Sequence, residues 1–231
     1  MANLMAFATA FVLGFTHALD VDHMVAVTAF VSRRPALSAA ARFGFRWGLG
    51  HSLAVLAVGA VLLLTGLRWG AGYDRLGEAL VGVMLVAIGI WSFRSTRNLH
   101  LHPPAEHGDH AHLHTHPAGE EPHRHGSGHN RLGRHGHGVT LVGVMHGLAG
   151  TSAVLALVPV TLMDRTTAGL GYLMAFGLGV ILAMTLFAAI AALAIRKTGA
   201  GSLTVGRTIA RTIALAAVAV GIWWVWEAAA G

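Results

Sequence analysis

No cysteine occurs among the 231 residues, so disulfides and thiolate metal sites are both excluded. Any bound metal has to be held by nitrogen and oxygen. Charge is nearly as scarce. Asp, Glu, Lys and Arg make up 11% of the chain against 55% hydrophobic residues, and mean hydropathy is +0.62. A soluble domain carries about 25% charged residues, so the balance is that of an integral membrane protein. A Walker A sequence (Gly-x4-Gly-Lys-Ser/Thr) is also missing, which argues against ATP hydrolysis within this chain. The stretch from Met1 to Leu13 lacks the basic start of a signal peptide, and its apolar run continues past the usual length. It reads as a retained first membrane helix. The basic excess, +6 with His neutral, sits between apolar blocks, where membrane topology explains it better than nucleic-acid binding.

What is present in quantity is long apolar sequence. Blocks able to cross about 30 Å of hydrocarbon run over Leu4–Val31, Phe43–Leu67, Leu76–Phe93, Val139–Met163, Ala168–Ile195 and Ile209–Trp226. The expected fold is therefore all-α and polytopic, with six transmembrane helices in the cytoplasmic (inner) membrane. With the N-terminus outside, the cytoplasmic loops carry thirteen Arg and Lys residues, among them Arg33, Arg34, Arg94, Arg97, Arg196 and Lys197. The opposite side carries three: Arg68, Arg75 and Arg165. That asymmetry fixes the orientation, with both termini outside. Trp69, Trp223, Trp224 and Trp226 then mark the outer interface and Trp91 the inner one.

The chain also repeats itself. Gly14-Phe-Thr-His17-Ala-Leu resembles Gly143-Val-Met-His146-Gly-Leu, and Trp47-Gly-Leu-Gly50 resembles Phe176-Gly-Leu-Gly179, both at an offset of 129 positions. Gly89-Ile-Trp91 recurs as Gly221-Ile-Trp223, shifted by 132. Three helices per repeat is an odd number, so the halves, residues 1–97 and 138–231, are expected to be inverted across the membrane. Between them, residues 98–137 hold twelve of the sixteen histidines with Pro, Gly and a few charges. Such a tract cannot build a packed core and is expected to be a disordered cytoplasmic loop. It binds divalent metal without much selectivity, which suits a metal-collecting or buffering role.

Within the first apolar block lies His17-Ala-Leu-Asp20-Val-Asp22-His23, whose four side chains are the only ionisable ones from Leu4 to Val31. A charged side chain at the bilayer centre costs about 2.5–3.5 kcal/mol on insertion scales. Imidazole with carboxylate is also the ligand mix of first-row divalent metals. His51 and His146 are the other histidines inside spans. With about 1.5 Å rise per residue, His23, His51 and His146 fall at similar depth, roughly 12 Å from the inner end, and His17 lies nearer the middle. On an ideal helix His17, Asp20 and His23 share one arc, while Asp22 points elsewhere. Asp22 joins them only if the helix unwinds locally, and it could otherwise orient a ligating imidazole. The candidate metal residues are thus His17, Asp20, Asp22, His23, His51 and His146, with His146 and Asp20 open as ligands or proton carriers. A lone intramembrane histidine is more often a hydrogen-bond partner between helices than a ligand.

The same residues resemble a known group. His17-Ala-Leu-Asp-Val-Asp22-His23 fits the His-x4-Asp-His signature of nickel/cobalt permeases, and Leu49-Gly-His51-Ser resembles the companion motif on their next helix. Six spans, a His-rich central loop and Met145-His146-Gly-Leu-Ala-Gly make the chain most similar to the six-helix, urease-accessory (UreH-like) branch of the nickel/cobalt transporter family. The resemblance implies a transporter and not an enzyme. Ni²⁺ or Co²⁺ would be transported substrate, with no prosthetic group. His17, Asp22 and His23 would recognise the metal and His51 would support them. The chain departs from the eight-helix permeases where they carry a later Asp- and Glu-bearing motif; here Gly147-Leu-Ala-Gly-Thr151-Ser152 stands instead. Import against export, nickel against cobalt, and homo-oligomerisation stay open. A membrane-embedded metalloenzyme and a metal-delivery partner working through the His-rich loop are the alternatives. Expected partners are the divalent ion and the lipid bilayer.

Overall fold

A computed structural model describes residues 2–32, 36–66, 71–96, 99–102, 112–115, 132–149, 160, 163, 165–199 and 203–230. In chain order the helices are α1 (Ala2–His17), α2 (Val21–Val31), α3 (Leu37–Thr65) and α4 (Ala71–Ser95), then α5 (Leu132–Ala149), α6 (Thr166–Gly199) and α7 (Leu203–Ala230). Between α4 and α5, β1 (Leu99–His102) pairs antiparallel with β2 (His112–Thr115). This ladder lies within the stretch expected to be disordered. The rest of that stretch, up to the first turns of α5, falls outside the described residues.

The first apolar block is not one helix. α1 closes with a tightened turn in which Leu19 N–H donates to the Thr16 carbonyl at 2.9 Å and Asp20 N–H to the His17 carbonyl at 3.0 Å. Asp20 is extended (φ −63°, ψ 154°), and its own carbonyl receives Met24 N–H at 3.0 Å to start α2. The two axes differ by 56°. Three residues therefore turn the chain within the membrane, with most of the backbone hydrogen bonds there still made, as hydrocarbon requires.

Four helices are individually long and apolar enough to span: Leu37–Thr65, Arg75–Ser95, Thr166–Lys197 and Arg207–Ala230. The bent pair α1–α2 passes the same test when its two helices are taken together as one span, which brings the number to five. The expected span Val139–Met163 is described only as the apolar segment Val139–Leu148 of α5; residues 150–159 lie outside the described residues, and Met163 is not helical. The interfacial Trp69 also falls outside them. At the end of α3, Gly66 takes a left-handed conformation (φ 68°) and returns its N–H to Leu62 at 2.9 Å, a glycine-dependent stop.

Packing is closest where glycine removes the side chain. A Cβ at Gly14 would strike the Phe176 carbonyl, and one at Gly179 the Phe11 carbonyl, so α1 and α6 meet backbone to backbone. Gly50 lies against the Thr140 carbonyl and Gly143 against the Trp47 carbonyl, which brings α3 onto α5 in the same manner. Gly82 and Gly221 face each other's carbonyls between α4 and α7. Such approaches let helices associate in lipid, where the hydrophobic effect does not drive them together. Ser52 Oγ donates to the Gly177 carbonyl at 3.0 Å, and Ser92 Oγ to the Ala29 carbonyl at 3.1 Å.

The interior holds Trp47, Tyr172, Phe176, Leu85 and Met184, all buried, while Leu4, Leu64, Ile190, Leu215 and Trp226 stand exposed. An apolar exterior on long apolar helices is that of a membrane protein.

Candidate metal centre

The break after α1 decides what faces inward. It carries Asp22 and His23, on the first turn of α2, towards His17 at the end of α1, His51 on α3 and His146 on α5. Relative exposures are 7% for His17, 6% for Asp22, 1% for His23, 0% for His51 and 1% for His146. His23 is the hub. Its ring centroid is 4.7 Å from His17, 5.3 Å from His51 and 4.1 Å from His146. His51 lies 5.5 Å from His17 and 5.8 Å from His146.

Asp22 bridges two of these rings. His23 Nδ1 is 3.2 Å from Oδ1, and His146 Nε2 is 3.0 Å from Oδ2. An ionised carboxylate only accepts, so both nitrogens donate. That fixes the tautomers and leaves His23 Nε2 and His146 Nδ1 with their lone pairs free. Neither atom has a hydrogen-bond partner, nor does either ring nitrogen of His17 or of His51, although His17 Nδ1 stands 2.8 Å from Asp20 Oδ2. An unmet buried polar atom costs about 1–3 kcal/mol, and native interiors hold few of them. Their concentration at one place is the chemistry of a ligand site.

Two overlapping triads have ligand atoms within 4.8 Å of one another: His17, His23 and His51, and Asp22, His23 and His146. Nitrogen and oxygen bind first-row divalent ions at about 2.0–2.2 Å, so opposed ligand atoms stand at most about 4.4 Å apart. Three ligands around one ion stand roughly 3.3–3.6 Å apart, so the members of either triad draw in by up to about 1.5 Å to close on one. The triads share His23.

Asp20 behaves otherwise. Its side chain is 54% exposed, with Oδ2 at 2.8 Å from His17 Nδ1 but without the alignment of a hydrogen bond. The arc expected to group Asp20 with His17 and His23 assumed a continuous helix. The extended backbone at Asp20 turns it out and Asp22 in. Two aromatic residues that sequence reading treated only as repeat positions wall the cluster. Phe176 stacks on His17 at 5.9 Å and 24°, and Trp47 meets His146 at 5.9 Å and 63°. Their only signal was their place in the matching Trp47-Gly-Leu-Gly50 and Phe176-Gly-Leu-Gly179 segments. His146 also edges a cleft of about 300 Å³ between α4 and α5. Its other lining residues, such as Val81, Met84, Leu141 and Met145, are apolar and give an ion nothing to bind.

No family model and no solved structure matches the chain. The urease accessory protein UreH of Bacillus sp. (strain TB-90) is 32% identical over 178 residues, which covers 77% of this chain and 72% of that protein. The chain belongs to the UreH family. The resemblance read from His17 to His23, from Leu49 to Ser52 and from Met145 to Gly150 thus extends to most of the sequence. In this UreH-family protein the cluster draws one or two side chains from each of α1, α2, α3 and α5. A change in the relative placement of those helices necessarily reshapes it.

Proposed function

We propose that this UreH-family protein carries Ni²⁺ or Co²⁺ across the cytoplasmic membrane through the buried His/Asp cluster. The observation that carries the reading is the convergence of four buried imidazoles, six of whose ring nitrogens lack hydrogen-bond partners, on one buried carboxylate. Imidazole suits nickel and other borderline divalent ions, and its ligation requires the neutral ring. His17, His23 and His51 supply nitrogen, with His146 as a further ligand. Asp22 compensates charge and holds two rings in orientation. The name of the Bacillus relative makes that protein accessory to urease; metal supply would be the corresponding service here. A metalloenzyme would want additional carboxylates or water-activating groups around the ion, and Asp22 is the only buried carboxylate among the described residues.

Alternating access between two inverted three-helix repeats is the mechanism we infer, with the termini outside and the His-rich loop cytoplasmic. The glycine contacts support the repeat. Adding 129 to Gly14 and subtracting it from Phe176 converts their contact into that of Gly143 with Trp47. The same operation converts Gly179 on Phe11 into Gly50 on Thr140, and the ring pair His17–Phe176 into His146–Trp47. A site astride such an internal axis is where inverted-repeat transporters bind substrate. The broken α1–α2 pair supports it too, because discontinuous helices are the usual walls of such sites.

Radiolabelled nickel flux in sealed, oriented vesicles tests the reading, with the intact protein compared against His17→Ala and Asp22→Asn. Directional flux that both substitutions remove is the expected result, and its sense distinguishes import from export. Folded, metal-binding protein that passes no nickel overturns it.

A further inference from the structure

We propose that the metal centre is built across a moving seam, with Asp22 and His23 riding on α2, α4 and α7 against a fixed group of α1, α3, α5 and α6. The proposal rests on the transport reading and names the parts that move in it. Packing divides the helices this way. The fixed group closes on itself through Gly14, Gly179, Gly50 and Gly143, and Gly44 and Gly48 bring α3 against the α6 backbone at Met184 and Ile181. α4 and α7 close through Gly82, Gly221 and Gly89, the last against the Ala214 carbonyl. None of these contacts joins a helix of one group to a helix of the other. Where the groups meet, between α4 and α5, stands the cleft of about 300 Å³, with Val81 and Met84 on one wall and Val142 and Met145 on the other. Close approach of backbones is what holds helices together in lipid, so the seam is the weakly held boundary.

α2 goes with the pair. It packs more on α7 and α4 than on α6. Ser92 Oγ of α4 donates to the Ala29 carbonyl at 3.1 Å, and Trp91 meets Phe30 at 5.1 Å. Just beyond α4, Thr96 Oγ1 receives Arg211 Nε of α7 at 3.2 Å, so the three helices are tied in series. Towards α3, α2 presents the Phe30 ring, 4.7 Å from Phe43 and 5.9 Å from Trp47. Those are apolar contacts without a directional bond. At its other end α2 hangs from the extended residue Asp20, and short element-terminal stretches of this kind absorb the dihedral change of a hinge. The consequence falls on the metal. His17, His51 and His146 stand on the fixed side, Asp22 and His23 on the moving one. Both triads contain His23. A swing of α2 about Ala18–Asp20 therefore opens both at once and withdraws the carboxylate, which leaves an ion on three neutral imidazoles. The hydrogen bond from His146 to Asp22 crosses the seam as part of the centre and breaks with it. The seam also cuts through both repeats, because each gives its last helix, α4 or α7, to the moving part.

The chain has no cysteine, so introduced pairs are the only thiols. The test uses the full-length protein in sealed vesicles with radiolabelled NiCl2. Met84→Cys with Val142→Cys spans the cleft. Val86→Cys with Val218→Cys lies inside the α4–α7 pair, where each valine sits against a glycine of the other helix. Each pair is bridged by a short bis-methanethiosulfonate and released with a phosphine reductant. Bridging the cleft should abolish nickel flux, and reduction should restore it. Bridging the second pair should leave flux as it was. Flux that survives the cleft bridge, that both bridges stop alike, or that reduction does not restore overturns the proposal. If the unbridged protein passes no nickel, the transport reading fails instead, and bridging rates then decide the seam. Nickel should change the rate across the cleft roughly fivefold or more, the low end of ordinary coupling between two sites, and not the rate within the pair. Equal rates across the cleft with nickel and with chelator overturn the moving seam itself.

Discussion

His51 distinguishes a ligand-binding cluster from a merely structural one, through the sign of a stability change. The side chain is fully buried, and neither ring nitrogen has a partner. Replacing it with leucine removes two unmet polar atoms, each costing about 1–3 kcal/mol, and exchanges a ring for an apolar group of comparable size. Imperfect fit in such a swap costs less than about 1.5 kcal/mol. We take the low end for the polar gain, because a chain unfolded within the bilayer also finds partners. His51→Leu is then expected to stabilise the metal-free protein by about 0.5–2 kcal/mol. Nickel reverses the order. At a free concentration one hundred times its Kd, a ligand that binds only the folded state stabilises it by about 2.7 kcal/mol. The native protein gains that increment, and the variant, left with the Asp22, His23 and His146 triad alone, gains less. Unfolding in nanodiscs by SDS titration, with chelator and then with NiCl2, reads both halves. A variant less stable than the native protein under chelator would show that His51 is a structural group with a satisfied role, and the reasoning above would be wrong.

Asp22→Asn keeps the shape but presents an amide N–H where one imidazole N–H now points, so one ring has to change tautomer. Loss of such an orienting group typically weakens metal binding 10–100-fold, and nickel titration of the purified variant measures it. Asp20→Asn should weaken nickel binding less than Asp22→Asn in the same titration, since half-exposed Asp20 belongs to neither triad and touches only His17, at 2.8 Å. Gly14→Ala and Gly143→Ala each drive a methyl into a facing carbonyl and should cost about 1–3 kcal/mol; near-equal losses by SDS titration are expected of repeat-related positions. Ser52→Ala removes the Oγ donation to Gly177 and should cost about 0.6 kcal/mol, the mean for interhelical bonds in membranes.

Apolar runs bounded by Arg and Lys were enough to place four of the six expected spans as single long helices, because lipid imposes a length and a polarity that sequence displays directly. The ends were less legible. α3 begins at Leu37, six residues before the apolar block that predicts it, since helical hydrogen bonding continues through Arg42 and Arg46 beyond the hydrocarbon. The break at Ala18–Asp20 was not legible as a break. Nothing there is Gly or Pro, and apolar periodicity runs straight through it. Only the demand that two carboxylates and two imidazoles find use inside a membrane hinted that the helix gives way. The directions of Asp20 and Asp22 depended on that break: an ideal-helix projection sets Asp22 apart from the histidines, and only the local unwinding allowed for there brings it to His23 and His146. The four histidines of the cluster stood out for a simpler reason: they are the only histidines inside the apolar blocks, although a hydrogen-bonding role between helices competed with the ligand reading for each of them.

A single buried carboxylate also has an electrical consequence. Asp22 offsets one of the two charges on a divalent ion, and the imidazoles offset none, so the loaded centre is a net monovalent cation. Asp22 remains with the protein, so each passage under the proposed transport moves two elementary charges. Moving one charge through 100 mV is worth about 2.3 kcal/mol, so an inside-negative membrane adds about 4.6 kcal/mol to inward movement of the ion. At about 1.4 kcal/mol per decade, that alone sustains more than a thousandfold accumulation. An importer built around this centre can work on voltage with no second ion, whereas an exporter built around it must be driven against the same voltage on every cycle.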